Sequence, residues 1–120
     1  MKLLVVDDSN VIRGQIKRAL ALNDVDIIGD AANGIDAIDR FRTYQPELVT
    51  MDLTMPELDG LKCIEQIMAI NPSTRILVIS ALADKATAIE ALKKGAQGFL
   101  CKPFNETELN QALQELIKDE

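Results

Sequence analysis

The chain predicts an α/β fold, a five-stranded parallel sheet wound on both faces by helices, and three observations predict it. Short apolar runs (LLVV, LVTM, ILVI and FLC) recur along the 120 residues, each bounded by turn-forming or polar residues. Runs of that kind read as strands buried on both faces. The stretches between them carry apolar residues at helical spacing. Finally, each run ends on a reactive polar residue: LLVV in Asp7–Asp8, LVTM in Asp52, ILVI in Ser80 and FLC in Lys102. In an open α/β sheet, ligands collect outside the carboxyl ends of the strands. Three carboxylates, a hydroxyl and an ammonium are therefore delivered to one edge.

The first strand is Leu3–Val6. Ser9 and Asn10 can cap the helix that follows, which buries Ile12, Ile16, Ala19 and Leu20. Val25–Gly29 is the second strand, and its weak hydrophobicity marks it as an edge. Asn33–Gly34 opens a second helix with Ile35, Ile38 and Phe41 inward, and Pro46 stops it. The third strand runs Leu48–Met51. After the loop TMPELDG, in which Pro56 stiffens the chain and Gly60 permits the turn, Asp59–Gly60 starts a third helix. That helix places Leu61, Ile64, Ile67 and Met68 on one face, and Asn71–Pro72 ends it. Ile76–Ile79 is the fourth strand; a shorter helix with Ala88, Ile89 and Leu92 follows, capped by Gly95. Lys93 and Lys94 complement the dipole at its end. Phe99–Cys101 is the fifth strand. The last helix begins at Asn105 with Glu108 as its capping-box partner and carries a stripe of Leu109, Ala112, Leu113, Leu116 and Ile117.

Five such units form a doubly wound sheet, because right-handed crossovers put helices on both faces. Pattern alone does not fix the strand order. An order of 2-1-3-4-5 places the reversal between the first and third strands and brings Asp7–Asp8 beside Asp52.

Length and composition fit one domain, residues 1–120, of ordinary globular character. A net charge of −6 without a basic run disfavours nucleic acid and anionic lipid as partners. The start, MKLLVVDDS, lacks the long apolar stretch of a signal peptide or spanning helix, so the expected location is the cytoplasm. Cys63 and Cys101 match no metal or redox spacing and read as reduced core or near-core thiols. The chain has no histidine, which removes a histidine-based triad, an HExxH zinc site and a phospho-histidine carrier. Its chemistry must use carboxylate, hydroxyl, lysine or metal.

Each polar strand end has a bland explanation when taken singly, since an Asp pair before a helix is often only a cap. Jointly they describe a pocket. Carboxylates a few ångströms apart repel unless a cation intervenes. Hard oxygen donors select Mg²⁺ or Mn²⁺, and Mg²⁺ typically takes one or two carboxylates plus water and phosphate oxygens. Asp52 is then the natural nucleophile toward phosphorus, with the metal and Lys102 neutralising the transferring group.

The segments VVDDS, VTMDLTMPELDG, VISA and the pair Lys102–Pro103 resemble a response-regulator receiver domain of the CheY type, over the whole length. The resemblance implies a flavodoxin-like (βα)5 fold whose own order is 2-1-3-4-5, so that order rests on the family as much as on the chemistry. It implies that Asp52 is the phosphoacceptor and that Asp8 and Asp52 ligate Mg²⁺ directly, with Asp7 acting through water and Thr54 through its backbone carbonyl. Ser80 and Lys102 would each bond a phosphoryl oxygen, and the Lys102–Pro103 peptide would be cis. Phe99 falls at the position of the switch aromatic, where tyrosine is common, so it keeps the rotameric switch and lacks the hydroxyl. Thr54 and Leu82 flank the path of an attacking water, and Leu82 could only shield the acyl phosphate. The implied partners are a sensor histidine kinase, a target protein on the face of the fourth helix, fifth strand and fifth helix, and a phosphatase. The implied protomer is a monomer, with dimerisation on activation as a further expectation.

The implied function is a stand-alone phosphoacceptor switch in two-component signalling, not an enzyme beyond self-phosphorylation and self-dephosphorylation, with chemotaxis or motility as one pathway. Three other readings compete. A Mg²⁺-dependent phosphatase with an aspartyl nucleophile of the haloacid dehalogenase type would place that nucleophile after the first strand, whereas Asp52 follows the third. A flavodoxin-like FMN binder would need a Ser/Thr/Gly-rich loop where this chain has DDS. The chain could also be the N-terminal receiver of a longer regulator.

Overall fold

A computed structural model describes residues 1–21, 24–55, 57–81 and 84–118. Pro56 and Leu82, to which the sequence assigns a stiffening and a shielding role, lie outside the described residues. The elements alternate as β1 (Lys2–Val6), α1 (Asn10–Leu20), β2 (Asp26–Ala31), α2 (Gly34–Tyr44), β3 (Leu48–Met51), α3 (Gly60–Ile70), β4 (Arg75–Ser80), α4 (Lys85–Lys94), β5 (Gly98–Cys101) and α5 (Glu106–Ile117). The five strands are parallel in the order β2-β1-β3-β4-β5. The α/β class, the strand order and the edge position of β2 are as the sequence predicts.

Strand alternation divides the core in two. Leu4, Val6, Val49, Met51, Ile76 and Val78 face α2, α3 and α4. Leu3, Val5, Leu48, Leu77 and Ile79 face α1 and α5. Local chemistry stops each helix. Ser9, Asn33, Asp59, Asp84 and Asn105 cap the five N-termini, and Asn105 and Glu108 close a reciprocal capping box. At the other end of α5, Arg75 Nη1 donates to the carbonyls of Leu116 and Ile117 at 3.3 and 2.7 Å. These are among the carbonyls that a helix end leaves without partners.

The structure corrects one assignment of an inward-facing residue and adds detail to others. Ile35 is 58% exposed, whereas Ile38 and Phe41 are buried as expected and Ala37 joins them. Ile89 and Leu92 are 42% and 50% exposed, and the buried residue of α4 is Ala91. In α4 the small residue takes the inner position. β2 runs past Gly29 to Ala31, because the pairing skips Ile28 between Leu3 and Leu4 and the bulge absorbs the extra residue. Cys63 is buried, and its thiol donates to the Gly34 carbonyl at 3.4 Å; Cys101 is exposed and not a core thiol. Burial pushes the Cys63 thiol up to about 12, which keeps it unreactive. Lys94 does more than complement a dipole: its ammonium pairs with Glu65 of α3 at 2.9 Å.

Two glycines are demanded by space rather than by backbone conformation. A Cβ on Gly60 would stand 2.3 Å from the Asp52 carbonyl oxygen, and one on Gly34 would stand 2.0 Å from that of Leu58. Gly95 is a conformational case: φ of 124° at the end of α4 suits glycine alone.

Thr50 is 1% exposed in the middle of β3, and among the described residues its hydroxyl has no hydrogen-bond partner. A buried unsatisfied hydroxyl costs stability, and valine has nearly the same shape. Thr50→Val is therefore expected to raise unfolding stability by about 1 kcal/mol in urea titrations; a loss of stability would show that the hydroxyl is bonded in solution.

Candidate functional site

The register of the sheet places the site before any side chain is considered. Val6 pairs with Met51, so the next residues, Asp7 and Asp52, leave β1 and β3 side by side. The ladders extend one step beyond the strands: Asp7 N donates to Ala31 O and Asp52 N to Val6 O, both at 3.0 Å. Across β4 and β5, Lys102 N donates to Ser80 O at 2.9 Å, which fixes the root of the lysine at the same edge. Asp7, Asp52 and Ser80 are buried, whereas Asp8 is exposed at the rim.

The Lys102 ammonium reaches back over the edge to 2.9 Å from Asp7 Oδ2 and 3.6 Å from Asp52 Oδ1. Asp7 Oδ1 accepts from Ser9 N at 2.9 Å, and Asp52 Oδ1 accepts from Thr54 N at 3.5 Å, the limit of a weak bond. Asp7 Oδ2 has an ion pair but no hydrogen bond among the described residues: the ammonium is close enough, but its direction of approach is poor. One carboxylate oxygen from each of Asp7, Asp8 and Asp52 lies within 4.8 Å of the others. Burial pushes the Asp52 carboxyl up from 3.8 to about 6, and the charges of Asp7 and, less, Asp8 add to the rise. The Lys102 ammonium and the Thr54 amide oppose it without cancelling it.

These residues fit a hard divalent cation. The donors are carboxylates, they converge, and a buried oxygen of Asp7 lacks the hydrogen bond that a metal-bound water could give it. Thr54, whose carbonyl the sequence reading adds to the ligand set, lies in the exposed loop two residues beyond Asp52. The Lys102–Pro103 peptide is cis.

Alternation splits the remaining groups between the two faces. Val5 and Leu100 contact the core under α1 and α5, so Asp7 and Lys102, each two residues further on, emerge on that side. Val78 and Phe99 are paired neighbours packed toward α2, α3 and α4, so Ser80 emerges with Phe99 on the opposite side. Phe99 is partly buried there. The structure thus gathers the three carboxylates and Lys102 and sets Ser80 with Phe99.

Sequence reasoning missed Arg13 and Asp30. Arg13 Nη1 donates to the Asp7 carbonyl at 2.6 Å, Nε donates to Asp30 Oδ2 at 3.2 Å, and Nη2 donates to the Asn10 side chain. A signal was present, since a cation near a helix N-terminus opposes the macrodipole and asks for a local reason.

The sequence profile of the response regulator receiver domain matches residues 3–114. The chain is 38% identical over 118 residues to the chemotaxis protein CheY of Listeria monocytogenes, spanning 98% of this chain and 99% of that one. It is 38% identical over 117 residues to the chemotaxis protein CheY of Thermotoga maritima, spanning 98% of each. Among solved structures, the CheX–CheY–BeF3–Mg²⁺ complex of Borrelia burgdorferi contains a chain that superposes with a TM-score of 0.95 at 30% identity, over 99% of this chain and 90% of that one. The acidic strand ends, the sheet order and a match across nearly its whole length place the chain in the response regulator receiver domain family, among its CheY-like members.

Proposed function

We propose that the chain is a stand-alone signalling switch. Asp52 accepts a phosphoryl group from the phospho-histidine of a sensor kinase, with Mg²⁺ or Mn²⁺ required, and the α4–β5–α5 face then binds a protein target. One observation carries this reading: a buried carboxylate at the end of β3 stands between two further carboxylates and an ammonium 3.6 Å away. Nothing else among the described residues combines a nucleophile with charge compensation in this way.

In this reading an Asp52 oxygen attacks phosphorus, the P–N bond to the donor imidazole breaks, and the electron pair leaves with the imidazole. When bound, the divalent cation supplies neutralisation of charge on the transferring group, held by Asp8, Asp52 and the Thr54 carbonyl, and by Asp7 through water. Lys102 shifts from its carboxylate partners to a phosphoryl oxygen, and Ser80 takes another. Movement of Ser80 leaves space on the face it shares with Phe99. The ring, lacking a hydroxyl to anchor, is biased by burial alone. The exposed Ile89 and Leu92 support α4 as part of the output surface. The protein is then a phosphoacceptor that modifies and demodifies itself, and not an enzyme acting on other substrates.

Identity to the Listeria and Thermotoga proteins supports chemotaxis as the pathway. The Borrelia complex, which joins CheY to CheX with BeF3 and Mg²⁺, supports a second protein partner for the loaded state, to which we assign a phosphatase role. No helix among the described residues is long and apolar enough to cross a membrane, and we place the protein in the cytoplasm.

Incubation with acetyl phosphate and Mg²⁺ is expected to add one phosphoryl mass, and Asp52→Asn to abolish it while the fold persists. Equal labelling of that variant would overturn the assignment. In metal titrations, Asp8→Ala should weaken Mg²⁺ binding more than Asp7→Ala, whose contact runs through water; equal losses would count against the ligand order.

Ionisation of Asp52 also sets a pH dependence. Its carboxyl is near 6 folded and 3.8 unfolded, so the folded state holds the proton more tightly. Metal-free stability therefore falls as pH rises from below 4 through 6, by up to about 3 kcal/mol. Asp52→Asn removes this loss. In EDTA the variant should be more stable than wild type at pH 7.5, and the gap should close at pH 3.5. A gap that persists unchanged at low pH would refute the electrostatic cause.

A further inference from the structure

The guanidinium of Arg13 bridges the backbone beside the acidic site to the edge of the sheet. Its side chain is 14% exposed. It donates to the Asp7 carbonyl at 2.6 Å, to Asp30 Oδ2 at 3.2 Å and to the side chain of Asn10. The Asp7 amide is held independently, by the Ala31 carbonyl at 3.0 Å. Asp30 and Ala31 are adjacent at the end of β2, so both ends of the Asp7 residue are tied to the same stretch of edge strand. The same Asp30 Oδ2 also accepts from Lys17 Nζ at 2.6 Å, and that bond holds its carboxyl below the usual range.

The Asp7 carbonyl belongs to the peptide that joins Asp7 to Asp8. Orienting that peptide sets the direction in which Asp8 leaves the chain. Asp8 needs such help, because it is exposed and among the described residues no ion pair restrains its carboxylate. We propose that Arg13 is a positioning residue for the divalent cation: by pinning the Asp7–Asp8 peptide to Asp30, it holds the two carboxylates in a convergent arrangement. The proposal rests on the cation site described above. Arg13 touches no reacting atom, and Asp30 occupies its charge, so it does not compete with the cation for the site carboxylates.

Charge and position make opposite predictions here. Removing a positive charge beside an acidic pocket should tighten cation binding if charge alone matters. Removing the clamp should weaken binding, and outer-shell partners of metal ligands typically contribute tenfold or more. Mg²⁺ titrations followed by amide chemical shifts of Asp7, Asp8 and Ser9, without any phosphodonor, separate the two. Arg13→Met is expected to weaken Mg²⁺ binding by about tenfold. Lys17→Met removes an equal charge from the same Asp30 but leaves the clamp, and should bind within about twofold of wild type or more tightly. Arg13→Lys keeps one donor without the planar fork and should fall between. It also carries the test if Arg13→Met does not fold, as judged by its circular dichroism and melting. Unchanged or tighter binding by the Arg13 variants, beside weakened binding by Asp8→Ala, would overturn the role of Arg13 alone. A wild type that binds no Mg²⁺, or an Asp8→Ala that binds normally, would overturn the cation site and this proposal with it.

Discussion

Two carboxylates buried side by side at the ends of adjacent parallel strands set the terms for the structure around them. The register of β1 against β3 leaves Asp7 and Asp52 no alternative to being neighbours. Buried like charges are tolerated only with compensation. Each local feature at this edge supplies a part of it. Lys102 is rooted by the Ser80 carbonyl and reaches over to both carboxylates. The amides of Ser9 and Thr54 donate to them, and Ser9 also caps α1. Gly60 lets α3 begin directly against the Asp52 backbone, where a Cβ would collide with it. The compensation is incomplete, as the raised Asp52 carboxyl and the unbonded Asp7 oxygen both record. A pocket left short of positive charge and of hydrogen-bond donors is one that a cation with its waters completes.

The split between the two faces of the sheet explains how such a pocket can report its state. Asp7, Asp52 and Lys102 emerge toward α1 and α5, whereas Ser80 emerges with Phe99 toward α3 and α4. In the proposed switch, a phosphoryl group at the end of β3 engages both sets at once, so a change on the charged face is felt on the apolar one. The energies required are small. A tenfold population shift needs about 1.4 kcal/mol, and fully burying a phenyl side chain is worth about 1.5–3 kcal/mol. Phe99 is already partly buried, so the increment still available is a fraction of that and matches the scale of the task.

The fold was legible because its signals repeat. Four apolar runs with polar ends, capping residues at the starts of four helices and helix-spaced stripes all point to one architecture. The delivery of Asp7, Asp8, Asp52 and Lys102 to one edge followed from strand ends, and their gathering needed the strand order, which rested on the family as much as on the chemistry. Illegible features were those that depend on approach distance. Reading Ile35 as inward assumed that a large apolar residue takes the core position, but Ala37 takes it, and in α4 the buried residue is Ala91 rather than Ile89 or Leu92. Gly34 was read only as the opening of a helix, and the need for glycine there comes from the Leu58 carbonyl, distant in sequence. The Arg13–Asp30 pair joins a helix to the neighbouring edge strand across 17 positions, and no periodicity encodes such a contact.

The outward placement of Ile89 and Leu92 bears on function. Among the described residues, α4 buries Ala91 alone, and its Ile89 and Leu92 face outward. Besides Ala91, it is tied to α3 by a pair between Lys94 and Glu65, and Gly95, just past its end, packs against Met68. A helix with so little apolar surface in the core can shift without opening it, since local stability follows the burial of each segment. Had Ile89 and Leu92 been core residues, as hydrophobicity alone suggests, displacing α4 would cost several kcal/mol, more than Phe99 burial could supply. In the proposed switch, this shallow anchoring suits α4 to be the element that a modest change at Ser80 and Phe99 moves.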